Sequence, residues 1–355
     1  MKEGSSVWGG VEVPPGTKKR IRFEVGESYT GLSVRLPVLV WRGKEAGPTV
    51  FISSAVHGDE INGTGTIREL IHRPPFELKS GTLVLLPVVN IMGFERHSRY
   101  MPDRRDLNRS FPGSETGSLT ARLAHLLKKE ILSRSDYGID LHTAAVRRTN
   151  YPNVRADMSN PGCARLAKAF GCSVIVDQAG PDGSLRNCAT GEDCPTIILE
   201  AGEVWKVEPM YLETALRGIT SCLADLEMIE QESEPVQDPY IVTSTSWVRA
   251  DSGGFLQFHV SPGDAVEKGQ TLATNYGLLG REQEVVEAAV SGIVIGMSTM
   301  PAVAPGDPII HLARLKKKEF RELEKEAESG EVADLGTRED LATNIHVVEA
   351  PEETN

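Results

Sequence analysis

Apolar residues along this chain fall into short dense runs separated by amphipathic stretches. Arg20–Val25 and Leu32–Trp41 alternate or are rich in β-branched residues, and Gly and Pro break both, which predicts strands. Three apolar runs read as strands, Pro48–Val56, Thr82–Asn90 and Pro195–Ala201, with the short strands Tyr137–His142 and Ser173–Asp177 beside them. Between them, residues 61–73, 118–134, 161–171 and 208–230 repeat their apolar positions at helical spacing, and Ser118 stands where an N-cap is needed. Strands alternating with helices predict an α/β domain around a mostly parallel sheet.

The pattern changes after residues 231–239 (QESEPVQDP), a polar, Pro-containing linker. Residues 240–313 hold short β runs punctuated by turn signals, and Ser261-Pro-Gly-Asp264 is echoed by Ala304-Pro-Gly-Asp307. This predicts a small all-β domain built from two similar halves. From Lys316 the chain reads as a charged helix and then a polar, mobile tail. The expected organisation is therefore an α/β domain over residues 1–235, a small β domain over 240–315, and the charged segment 316–355.

The chain has 355 residues, 40% of them hydrophobic, and a formal charge of −12. An acidic balance argues against nucleic-acid partners, whose phosphates need clustered Lys and Arg. It leaves room for an anionic small molecule in a locally positive pocket. No apolar run reaches membrane length, and the first residues (MKEGSSVWGGVEVPPG) lack an apolar signal core, so a cytoplasmic protein with no membrane partner is expected. Five cysteines with no CxxC pair read as reduced thiols.

Three separated pieces carry the chemistry: His57-Gly-Asp-Glu60, the segment Arg99–Gly113 (RYMPDRRDLNRSFPG), and Asp140-Leu-His142-Thr. His57, Glu60 and His142 can close three sides of a zinc ion and leave the fourth to water, which is the arrangement of a catalytic site. Asp140 can hold the far ring nitrogen of His142. His57, His142 and Glu200 each fall at the C-terminal end of a predicted strand, where open α/β sheets bind ligands. Glu200, after four apolar or β-branched residues, has the desolvated setting of a general base, with Glu203 as the fallback. Arg99, Arg104, Arg105, Asn108 and Arg109 offer more donors than a surface loop needs, and Arg147 and Arg148 follow His142 closely. Plainer readings stand beside these: a first-turn helix acid for Glu60, a strand-end acid for Asp140, an arginine-paired acid for Glu200, and a solvated basic loop closed by Asp103 and Asp106.

Together, HGDE, DLNRSFPG, DLHT and the ILEAG strand end resemble the succinylglutamate desuccinylase/aspartoacylase family over about residues 30–320. The resemblance implies a zinc-carboxypeptidase-like α/β/α domain with a C-terminal barrel-sandwich-like β domain capping the site. It implies one zinc on His57, Glu60 and His142, with Glu200 as base. It implies an oxyanion-stabilising arginine just before DLNR, for which Arg99 is the nearest match and Arg104 and Arg105 compete. Asn108 and Arg109 would hold a substrate carboxylate, with Arg105 and Arg148 as further substrate contacts. The β domain also resembles a biotinyl/lipoyl carrier, but Lys268 stands outside a carrier's hairpin tip. The expected activity is hydrolysis of an N-acyl amino acid, and the alternative is a zinc carboxypeptidase. Paired β domains are compatible with a homodimer.

Overall fold

The computed structural model describes residues 6–27, 30–236, 238–280 and 282–321, with Leu323 and Val347. A short ribbon (β1, Val7–Trp8; β2, Val11–Glu12) precedes the long strands β3 (Lys18–Glu27), β4 (Ser33–Arg42) and β5 (Glu45–Ser54). Then follow α1 (Asn62–His72), β6 (Ser80–Leu86), the single turn α2 (Ile91–Phe94), α3 (Leu119–Glu130) and β7 (Tyr137–His142). Next come β8 (Arg148–Ala156), α4 (Pro161–Phe170), β9 (Val174–Asp177), α5 (Leu185–Gly191), β10 (Thr196–Gly202) and α6 (Pro209–Asp225). The C-terminal strands are β11 (Tyr240–Val242), β12 (Thr245–Arg249), β13 (Gly254–Phe258), β14 (Ala265–Val266) and β15 (Thr271–Tyr276). They continue as β16 (Glu282–Glu287), β17 (Gly292–Ser298), β18 (Ala302–Val303) and β19 (Pro308–Arg314).

The three apolar runs and the short strand Tyr137–His142 form the sheet's centre: β10, β7, β5 and β6 are adjacent and parallel. The sheet as a whole is mixed, because β4 and β3 continue it antiparallel on one side and β8 lies antiparallel to β10 on the other. Buried clusters cover both faces. One packs α1, α4 and α6 around Ile52, Leu141 and Leu199, and the other packs α3 and α5 around Phe51, Val84 and Leu127. Strands buried on both faces lose the alternation of a one-sided strand, as Val50–Ile52, Leu83–Leu86 and Ile197–Leu199 do. Ser118 caps α3 by accepting from the Ala121 amide. The helix stops at Glu130, short of the expected residue 134, and α6 stops at Asp225 rather than 230.

The main sheet runs on into the C-terminal strands. Gly296 to Ser298 of β17 pair antiparallel with Asn150 to Arg148 of β8, and β19 and β12 follow. A second, four-stranded sheet (β16-β15-β13-β18) completes this all-β region around Leu256, Leu272 and Ile309. The two Pro-Gly-Asp turns are closed alike, by Ser261 N donating to Asp264 Oδ2 and Ala304 N donating to Asp307 Oδ2. Of the expected charged segment, helix begins at Lys317, and the tail apart from Val347 lies outside the described residues. Among the described residues no helix is long and apolar enough to cross a membrane. Their cysteines are all free.

Candidate metal and active site

His142 ends β7, Glu200 lies in β10 directly beside it, and His57 and Glu60 follow the end of β5. The loop from β5 to α1 is held down by Val89 and Asn90, whose amides donate to Ser54 O and Ala55 O. Gly58 has to be glycine, because a Cβ there would lie 2.1 Å from the Gly93 carbonyl carbon. This packing turns His57 and Glu60 inward, where both are buried with His142.

The three side chains converge. His57 Nδ1 lies 2.6 Å from Glu60 Oε1, and His142 Nδ1 lies 2.8 Å from Glu60 Oε2. One donor atom from each residue falls within 4.8 Å of the others. The outer ring nitrogens face two aspartates: His142 Nε2 lies 2.8 Å from Asp140 Oδ2, and His57 Nε2 lies 3.3 Å from Asp106 Oδ1. Asp140 is fixed in turn by the Ser53 hydroxyl at 2.7 Å. Inner nitrogens turned to a shared centre and outer nitrogens turned to carboxylates are what a metal-binding histidine pair needs.

The electrostatics agree with that fit. Burial alone would raise Glu60, but the two imidazoles outweigh it and hold the carboxyl far below the usual range. Burial opposes protonation of both rings, yet Glu60 with Asp106 raises His57, and Asp140 with Glu60 raises His142 well above its ordinary value. The cluster attracts positive charge, and a divalent cation supplies it without protonating the ligands.

Around this centre lies a cavity of about 260 Å³, whose walls include Arg99, Asn108, Arg109, Arg148 and Glu200. Arg99 Nη1 is 3.3 Å from Glu60 Oε1 and its Nη2 is 3.1 Å from Asp106 Oδ2. Asn108 Oδ1 accepts from Leu185 N at 2.9 Å, which ties the Asn108-Arg109 pair to the start of α5. Arg104 and Arg105 do not line the cavity. They sit in an exposed turn where Arg105 pairs with Asp103 at 3.2 Å. Arg147 is likewise exposed outside the cavity, whereas Arg148 lines it and lies over the Trp247 ring. Glu200 Oε2 accepts from Asn150 Nδ2 at 3.0 Å, and Arg155 Nε stands 3.7 Å from Oε1. Glu203 bonds instead with Thr299 and Lys206 at the rim.

Several residues of the site were not singled out from the sequence. Asp106, read there as a loop partner, stands 3.3 Å from His57 Nε2, and its place at the head of Asp-Leu-Asn-Arg was the available signal. Arg155 and Arg186 line the cavity from β8 and α5, and Trp247 and His311, stacked at 4.4 Å, enter it from the C-terminal strands. Arg186 is 4% exposed, and its Nε and Nη1 have no hydrogen-bond partner. Burial, then the neighbouring Arg155, brings its guanidinium down to about 10.

A model of the succinylglutamate desuccinylase/aspartoacylase catalytic domain matches residues 46–226, just over half of the chain and the part that carries this centre. The chain belongs to this family. Among its relatives is the N-alpha-acetyl-L-2,4-diaminobutyric acid deacetylase of Halomonas elongata, 26% identical over 80% of this chain and 86% of its own length. The solved succinylglutamate desuccinylase/aspartoacylase of Rhodobacter sphaeroides superposes with a TM-score of 0.71 at 25% identity, covering 83% of this chain and 95% of that one. The product-bound ectoine utilization protein EutE (DoeB) of Ruegeria pomeroyi shares the fold with a TM-score of 0.74 at 22% identity, over 84% and 95% of the two chains.

Proposed function

We propose that this protein is a zinc-dependent hydrolase that removes the acyl group from an N-acyl amino acid. The observation that carries the reading is the buried His57–Glu60–His142 centre, backed by two aspartates and opening into an arginine-lined cavity beside Glu200. Family membership and the deacetylase relative support the same reaction class. We place the catalytic residues on a zinc-carboxypeptidase-like unit ending near residue 235, with the β region of 240–315 as its cap.

When bound, zinc supplies a Lewis acid that makes water acidic near neutrality and polarises the acyl carbonyl. The chain's own groups do the rest. Glu200 accepts the proton from water and delivers it to the departing amine. Arg99, already aimed at the ligand carboxylate, offers a guanidinium to the oxygen that gains charge in the transition state. Asn108 and Arg109 hold the substrate carboxylate and so bring the carbonyl into reach. Arg148 adds positive charge to the same wall, and the free Nε and Nη1 of Arg186 favour a substrate with a second anionic group. Arg105 is assigned no contact with substrate, because its side chain is engaged by Asp103 in the exposed turn.

The test is metal content together with amine release from acetyl-aspartate, succinyl-glutamate, acetyl-diaminobutyrate and blocked dipeptides. About one zinc per chain, with chelator-sensitive turnover of an acyl amino acid that Glu200→Gln abolishes, is the expected result. Zinc with peptide cleavage alone would make this a carboxypeptidase. A folded, zinc-supplied protein that binds no zinc would refute the ligand assignment.

A further inference from the structure

Glu200 is positioned from one side only. Its neighbour on β7 is the ligand His142, and its side-chain contacts come from β8: Asn150 Nδ2 on Oε2 at 3.0 Å, Arg155 Nε at the longer distance of 3.7 Å from Oε1, and Asn153 Nδ2 on the Glu200 carbonyl at 3.3 Å. The register of β10 against β8 shifts between Glu200 and Gly202, so the carboxylate sits at an irregular point of the ladder. A side-chain clamp at such a point does what regular pairing cannot.

Asn150 is itself clamped by the C-terminal strands. It pairs in register with Gly296 of β17, and a Cβ on Gly296 would lie 2.6 Å from Asn150 Oδ1. The amide therefore occupies the space that a side chain at 296 would take. The same strand end grips the approach to β8, with Thr299 N and Ser298 Oγ donating to the Arg147 carbonyl at 2.9 and 3.3 Å. Arg147 has a positive φ of 64°, so this grip holds an unfavourable backbone turn in place.

We infer that the C-terminal β region orients the base: Gly296 seats Asn150, and Asn150 aims the Glu200 carboxylate at the water it deprotonates. Asn150 and Gly296 are positioning residues, and the inference rests on Glu200 being the base. Asn150→Ala removes the clamp, and the isosteric Asn150→Asp replaces its donor with a repelling oxygen. Gly296→Ala meets the Asn150 side chain first, at 2.6 Å, with the Thr149 carbonyl oxygen next at 3.2 Å, so the amide has to move further than the strand backbone.

The experiment is a double-mutant cycle on the zinc-loaded, full-length protein, using whichever acyl amino acid the wild type turns over fastest. Asn150→Ala and Asn150→Asp should each lower kcat about 10- to 100-fold while KM and zinc content stay within about twofold. Gly296→Ala should lower kcat in the wild-type background and cost nothing further in the Asn150→Ala background. A general packing defect would instead multiply the two losses and lower thermal stability in both backgrounds. Full kcat in both Asn150 variants, or multiplicative losses in the cycle, overturns the inference. If Gly296→Ala does not fold, the two Asn150 variants decide alone. Glu200→Gln separates the two levels: an active Glu200→Gln enzyme removes the base itself, whereas an inactive one beside fully active Asn150 variants removes only the clamp. A wild type that turns over no acyl amino acid overturns both.

Discussion

Removing the carboxylate of Asp140 should weaken metal binding without touching a ligand. Asp140 is 0% exposed and makes two contacts, with His142 Nε2 at 2.8 Å and the Ser53 hydroxyl at 2.7 Å. Asp140→Ala leaves both partners buried and unpaired, at about 1–3 kcal/mol each in the folded protein. It also frees the imidazole to turn and lowers its basicity, which for a group of this kind costs about 10- to 100-fold in metal affinity, or about 1.4–2.7 kcal/mol. Asp140→Asn keeps an acceptor for the ring N–H, and the serine hydroxyl can reverse, so its loss should fall at the lower end. The assay is competition for zinc against a chromophoric chelator at fixed pH, with thermal unfolding of the metal-free proteins measured alongside to separate affinity from stability. A folded Asp140→Ala protein with wild-type zinc affinity would refute the claim that this aspartate acts through His142.

Two further outcomes follow from the same geometry. The metal-free protein should lose stability in both directions of pH. His57 and His142 are raised on folding, so their contribution is complete below the ordinary histidine value and is lost as pH climbs through the raised values. Glu60 and Asp106 are depressed, so theirs is present above the ordinary carboxylate range and is lost as pH falls towards the depressed values. Zinc replaces the protons, so the alkaline loss should vanish on loading. Melting curves from about pH 2 to pH 10 with and without zinc check this, and an alkaline limb unaffected by metal would contradict it. Gly58→Ala drives a methyl into the Gly93–Phe94 backbone and should cost about 1–3 kcal/mol or more in urea unfolding. It should also reduce zinc content by displacing His57, and a stable, fully loaded Gly58→Ala protein would show that the loop has room to spare.

The central strands were legible because a strand buried on both faces loses the alternation of a one-sided strand and reads as an apolar run, as Val50 to Ile52 and Ile197 to Leu199 do. The cluster that could hold a metal was legible for a related reason: His57, Glu60 and His142 are polar residues at the ends of such runs. What escaped was β8, and the cause is physical. Its Asn150 and Arg155 line the cavity, Asn153 is buried against the Tyr151 and Glu200 carbonyls, and Pro152 interrupts the run, so polar residues erased the hydrophobic signature of a strand. The short helix α5 carrying Arg186 was hidden in the same way, by polar residues in a segment too brief to show a period. The junction of β8 with β17 joins residues almost 150 positions apart, and no local pattern encodes it.

That junction has a consequence for how the protein is made. Synthesis delivers β10, β7, β5 and β6 long before β17, so the emerging chain holds a nearly complete sheet whose β8 edge is open at Arg148–Asn150. An open edge invites pairing with another chain, and the polar side chains and proline of β8 are the features that discourage it. The last turn of assembly is thus the closing of this edge by a distant segment, a slow kind of contact. The nascent protein would gather His57, Glu60 and His142 early and set the Asn150 clamp on Glu200 late, when the ribosome has released most of residues 292–314.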